Sequence, residues 1–211
     1  MTEVEHLEIK WYSLAIVIAI ALLGTALIAA RKSVKWNAKM LAAGAMCIAV
    51  AFVLSFIRVY KLPQGGSVTL ASMLPICAFA FCYGLVPGTV VGAAYGALQF
   101  IQEPFFVHPV QILVDYPLAF AALALAAFAR RIPAKYGAMA AGVVLGALGR
   151  LIMATLSGVV FFSQYAPEGT PVLVYSFIYN FTYLSFDTLV CAAICLIPGV
   201  EKTLGRVMVG R

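Results

Sequence analysis

Charge is what this chain of 211 residues has least of: Asp, Glu, Lys and Arg together make up 10%, against about a quarter in soluble domains. Histidine is nearly absent, with only His6 and His108, and tryptophan occurs twice. With 64% apolar residues and a mean hydropathy of +1.03, the chain cannot cover a water-facing surface. A soluble Rossmann or barrel enzyme and a disordered tail are therefore excluded. Nucleic-acid binding is excluded too, because the basic residues lie between apolar windows and form no single basic face.

Catalytic signatures are missing as well. The sequence holds no GxxxxGK[ST] phosphate loop, no HExxH, no GxSxG and no Ser, His and Asp set. Both histidines fall outside the apolar windows, which leaves no general base inside a membrane. Catalysis is not expected, and any energy for transport must come from a gradient or from partner subunits. The five cysteines, Cys47, Cys77, Cys82, Cys191 and Cys195, all lie within apolar stretches, where a free thiol behaves as a small hydrophobe. Neither a disulfide nor a metal site is indicated.

What the sequence does have is long apolar windows. Those running Trp11 to Ala30, Met40 to Ile57, Val68 to Tyr83, Leu85 to Ile101, Pro109 to Ala129, Tyr136 to Phe162 and Pro171 to Ile197 approach or exceed the ~20 residues a helix needs to cross a bilayer. Seven membrane helices follow, the third short and containing Pro75. Trp11 to Ala30 reads as a retained span, since acidic residues precede it and basic ones follow it, the reverse of a signal peptide. With the amino terminus outside, ten of the fourteen Lys and Arg fall on the cytoplasmic side, among them Arg31, Lys32, Lys35, Lys39, Arg130, Arg131, Lys202 and Arg206. This bias sets the orientation, carboxyl terminus inside. Gly88, Gly92 and Gly96, and again Gly142 and Gly146, recur at intervals of four, a spacing that lets helices approach closely. Ala45 and Ala49 share that spacing, and from it alone an internal contact and a docking face are equally open.

Three ionisable residues interrupt the windows: Asp115, Arg150 and Asp187. A charge in the bilayer centre costs at least ~2.5 kcal/mol unless paired or hydrated. At ~1.5 Å per residue, Asp115 lies ~9 Å below the outer end of its helix, Arg150 ~18 Å and Asp187 ~24 Å. Arg150 is between the two carboxylates in depth and can pair with either, and a structural Arg150–Asp187 ion pair is the expectation. Asp115 and Asp187 differ in depth by ~15 Å, too far to share a catalytic water as an intramembrane aspartyl enzyme requires. Shallow Asp115, beside Tyr116 and beneath Phe105, Phe106 and His108, suits an outward-facing site for an organic cation, through charge and cation-π attraction. Phe162, Tyr175 and Asn180 project to the same outer third. The loop reading YKLPQGGS predicts a turn or flap above it.

Three segments in order, LPQGGSVTLASMLPI (Leu62 to Ile76), HPVQILVDYPLAF (His108 to Phe120) and FFSQYAPEGTPVLVYSFIYN (Phe161 to Asn180), resemble the thiamine-specific substrate-binding subunits (S components) of energy-coupling factor transporters. The resemblance covers Asn37 to the carboxyl terminus. It implies an all-α, polytopic membrane protein: a six-helix substrate-binding domain over residues 37–211, here preceded by one extra transmembrane helix and a basic loop over residues 1–36. It also implies thiamine, held near the outer face beneath the first loop, as ligand, with no cofactor. The partners it implies are a transmembrane coupling protein and two cytoplasmic ATPases, in the plasma membrane of a prokaryote.

Residue by residue, Asp115 falls where the family has an acidic contact to the bound cation, with Tyr116 following it. Tyr175 and Asn180 match positions that hydrogen-bond the aminopyrimidine, and Phe162 matches a stacking aromatic. Gly158 leaves room for the ligand, and Phe105 belongs to the aromatic surround. Gln64 stands roughly where some members carry Trp in the first loop, and Ala154 where some carry His. Ala45 and Ala49 match the face that docks on the coupling protein. The alternatives are a substrate-binding subunit for a thiamine precursor or related cationic vitamin, and a gradient-driven carrier. A carrier usually has two repeated halves, and no such repeat is visible.

Overall fold

Six stretches of chain traverse the molecule, and their ends follow the apolar windows to within one or two residues in five of the six. A computed structural model describes residues 34–105, 107–133 and 137–209. The expected helix over Trp11 to Ala30 lies outside them. From Trp36 onward the chain is one unit. It consists of α1 (Ala38–Phe56), a hairpin of β1 (Arg58–Lys61) and β2 (Ser67–Thr69), α2 (Leu74–Tyr83), α3 (Leu85–Gln102), α4 (Pro109–Arg131), α5 (Ala138–Phe161), α6 (Val172–Leu196) and α7 (Val200–Val209). Helices α1, α4, α5 and α6 are each long and apolar enough to cross a membrane.

The third window, Val68 to Tyr83, is corrected. Only its second half is helical, α2 having 10 residues. Its first half pairs antiparallel with β1, Tyr60 opposite Val68 and Lys61 opposite Ser67, then turns through Ala71, which holds a left-handed backbone at φ 58°. Pro75 sits in the first turn of α2, where its missing N–H costs nothing. The hairpin is thus the one departure from an all-helical chain among the described residues.

Helix α4 is the centre of the bundle. A Cβ on Gly92 or Gly96 of α3 would overlap the carbonyl oxygens of Phe120 and Tyr116, and one on Gly146 of α5 would lie 2.8 Å from the carbonyl oxygen of Leu123. The two glycine series therefore grip opposite sides of α4, which is the close approach that small residues permit. At the end away from the hairpin, α7 folds back against the bundle. Its Glu201 carboxylate accepts from Met139 N–H at 3.3 Å, Tyr83 donates to Met208 O at 2.5 Å, and Lys39 donates to Val209 O at 3.0 Å. The basic residues of α7, α1 and the end of α4 gather there, and the hairpin occupies the opposite end.

Candidate functional site

A cavity opens at the hairpin end, lined by residues from every element between β1 and α6 except α2. Its floor begins with a fault in α4. Pro117 has no N–H to donate and would clash with the carbonyl of Leu113 in a regular helix. The chain relieves this with one wider turn over Val114–Leu118, a device that recurs at functional sites. Asp115 lies in that turn and lines the cavity. One helical turn earlier Gln111, 1% exposed, donates its side-chain amide to the Asp115 carboxylate. No cationic side chain lies within 4.0 Å of Asp115, the ion pairs among the described residues being Arg58–Glu103 and Lys61–Glu103. Tyr116 also lines the cavity, but its hydroxyl is engaged: it accepts from Phe105 N–H at 3.1 Å and donates toward the carbonyls of Glu103 and Phe105. Tyr116 thereby fixes the loop that carries Phe105.

The opposite wall comes from α5 and α6. Phe162, Tyr175 and Asn180 all face the cavity. Asn180 donates its amide to Ser176 O at 2.8 Å and Ala154 O at 3.3 Å, and its oxygen accepts from Tyr183 at 2.9 Å. An amide oxygen has two lone pairs, so Asn180 retains acceptor capacity for a ligand N–H. Phe162 lies nearly parallel to Phe105, ring centroids 6.0 Å apart and planes at 12°. Gly158 lines the cavity too. A Cβ there would collide with the Ser176 hydroxyl and lie 2.9 Å from its Cβ, so the missing side chain also makes room for α6.

Several cavity residues escaped the sequence analysis. Tyr179 and Tyr183 both line it, and with Tyr175 they form a ladder at intervals of four, ring centroids 6.3 and 6.0 Å apart. That spacing was readable in the sequence. The Tyr179 hydroxyl reaches across to the hairpin, where it donates to Pro63 O and accepts from Gly66 N–H at 3.1 Å. A Cβ on Gly66 would stand 2.8 Å from that hydroxyl oxygen, which explains a glycine at this point of the LPQGGS loop. At the other strand, Glu103 at the end of α3 pairs with both Arg58 and Lys61. The hairpin is therefore a lid, clamped from α6 and from α3, with Gly65, Gly66 and Ser67 facing the cavity. Gln64 lies in its tight turn, Pro63–Gly65; its side chain is outside what is described.

The expected Arg150–Asp187 ion pair is not formed. The Arg150 guanidinium lies 4.0 Å over the Phe120 ring and lines the cavity, while the Asp187 carboxylate, 2% exposed, accepts from the Thr69 hydroxyl at 3.1 Å. The depth estimate put the two in neighbouring layers but could not give the rotation of α5 against α6. Ala45 and Ala49 lie on an exposed face of α1, together with Leu41, Met46 and Val53, each more than half exposed. Among the described residues no group of three or more His, Cys, Asp and Glu side chains is placed to hold a metal.

Comparison with known proteins bears on this cavity. A model of the family described as "Thiamine transporter protein (Thia_YuaJ)" matches residues 41–204. The chain is 37% identical over 149 residues to the thiamine transporter ThiT of Bacillus subtilis, covering 65% of this chain and 77% of that one. It is 32% identical over 130 residues to the thiamine transporter ThiT of Lacticaseibacillus paracasei, covering 55% and 65%. ThiT from Listeria monocytogenes has the same fold, with a TM-score of 0.67 at 24% identity over 80% of this chain and 96% of that structure. The chain thus belongs to the thiamine transporter family.

Proposed function

We propose that the chain binds thiamine in the cavity beneath the hairpin, as the substrate-binding subunit of an energy-coupling factor importer. The observation that carries this reading is Asp115: a carboxylate in no salt bridge, set in an aromatic-walled cavity that opens at one end of a membrane protein and that Arg150 also lines. Thiamine has a permanently cationic thiazolium ring, and its charge complements that carboxylate where water is scarce and charge attraction strong. Phe162 and Phe105 supply ring faces, while Tyr175 and Asn180 supply hydrogen bonds to the aminopyrimidine. Tyr116 and Gly158 shape the walls by holding the Phe105 loop and α6, and Gln64 lies in the turn of the lid above.

In this reading the chain makes and breaks no bond of its substrate. The cavity faces outward, with the amino terminus outside and the basic inner end in the cytoplasm. ATP hydrolysis on two partner ATPases drives release, transmitted through a coupling protein docked on the Ala45 and Ala49 face of α1. Purified from cells grown with thiamine, the chain should retain close to one equivalent, released on denaturation and detected as fluorescent thiochrome. A preparation free of thiamine that also fails to bind it when added refutes the reading.

A further inference from the structure

Asp187 needs an explanation of its own. It lies on α6 ~22 Å below the helix's outer end at ~1.5 Å per residue, it does not line the cavity, and Arg150, which lies over Phe120, acts on it through charge without a salt bridge. Its position continues the ladder of Tyr175, Tyr179 and Tyr183 by one more interval of four.

Besides Cys191 on its own helix, its hydrogen-bond partners are the Thr69 hydroxyl and the Ala71 backbone, both at the root of the lid. Thr69 is the last residue of β2, and its hydroxyl lies 3.1 Å from the Asp187 carboxylate and 2.7 Å from the Ser72 hydroxyl. Between Thr69 and α2 the chain is irregular, and its turn includes the left-handed Ala71. Irregular backbone at membrane depth is tolerated only where protein covers it and satisfies its polar groups. Here Thr69, Ala71, Ser72 and Met73 are 7%, 3%, 3% and 0% exposed. Helix α2, with 10 residues, is only ~15 Å long, so the root of the hairpin fills the outer part of a path that a longer helix would otherwise take.

We propose that Asp187 is a positioning residue for the lid: it fixes the inner root of β2 through Thr69 and Ser72, as Tyr179 fixes the tip from the same helix. Helix α6 then holds the hairpin at two points eight residues apart, and the hairpin residues that line the cavity, Gly66 and Ser67, are placed between them. Loosening the root populates an open lid. A bound ligand then leaves faster, while its entry is not slowed.

The ligand readout rests on the thiamine-binding reading; amide exchange in the empty protein does not. Asp187→Leu, which keeps the branched shape but offers no acceptor, should speed amide exchange over residues 58–70 at least tenfold, with α5 unchanged, and should raise the thiamine dissociation rate by a similar factor. This is the scale of one hydrogen bond to a charged group. Asp187→Asn retains an acceptor for Thr69 and should remain within about threefold of the wild type, since one hydrogen bond is altered and not lost. Thr69→Val should speed exchange over the same residues, by less than Asp187→Leu because the Ala71 N–H also bonds the carboxylate, and the double variant should add little to Asp187→Leu, as expected for a shared contact. Unchanged exchange over residues 58–70, or an equal rise in α5, overturns the proposal. If Asp187→Leu does not fold, wild-type exchange in Thr69→Val overturns it equally. Failure of the wild type to bind thiamine would refute the substrate reading and leave the exchange result standing.

Discussion

Replacing Asp115 by Asn removes one negative charge from the cavity and changes little else. Asn keeps a carbonyl oxygen that can accept from the Gln111 amide now bonded to the carboxylate, so the widened turn around Pro117 retains its partner. Both the unliganded fold and the cavity shape should survive. The cost falls on the complex: leaving a buried charge without its partner costs about 2–5 kcal/mol, which corresponds to a dissociation constant raised roughly 30-fold to several thousand-fold. No other anionic side chain of the cavity lining can substitute for Asp115, Glu103 being committed to Arg58 and Lys61. Calorimetric titration is the suitable assay. The two tryptophans are Trp11 and Trp36, and Trp36 precedes α1 at the end remote from the cavity, so indole fluorescence is a poor reporter. A thiamine analogue with an uncharged ring in place of the thiazolium provides the control: the wild type should bind it weakly, and Asp115→Asn should weaken it little further. If Asp115→Asn binds thiamine as tightly as the wild type, or if charged and uncharged ligands lose equal affinity, the charge-pairing argument fails.

Other predictions follow from the same geometry. Tyr179→Phe deletes both hydrogen bonds to the lid tip and should raise the thiamine dissociation rate about tenfold at one to two hydrogen bonds lost; stopped-flow exchange against labelled thiamine measures it, and an unchanged rate contradicts the clamp. Gly146→Ala places a methyl group 2.8 Å from the Leu123 carbonyl and 3.2 Å from the Cys77 sulfur, and overpacking of this kind should destabilise by about 1–3 kcal/mol, visible as a lower melting temperature in detergent. Bulky residues at Ala45 or Ala49, on the exposed face of α1, should abolish uptake in cells while the purified chain still binds thiamine; parallel loss of both removes the docking assignment.

The sequence made the helices legible because one rule governs them: apolar residues run as far as the bilayer does, so the windows of α1 and α3 to α6 end within a residue or two of the helices. That rule fails for residues 68–73, where the buried Thr69 hydroxyl bonds to a carboxylate 118 residues away, a partner no local pattern announces. The cavity was partly legible. Asp115, Phe162, Tyr175 and Asn180 converge because depth along a helix can be counted. Pairing Arg150 with Asp187 on depth alone failed because depth leaves azimuth open, and α5 turns Arg150 toward Phe120 and the cavity. Tyr179 and Tyr183 had a readable signal in their spacing from Tyr175. Gly158 lines the cavity, and its close approach to Ser176 was not legible, because the facing residue of α6 has no signal in the sequence.

The most direct test is a titration of thiamine into the purified, thiamine-free chain without any partner subunit. The account predicts saturable binding at one site per chain, weakened at least 30-fold by Asp115→Asn at the lower bound for a lost buried charge partner. No heat and no retained thiamine from a folded wild-type protein would contradict it.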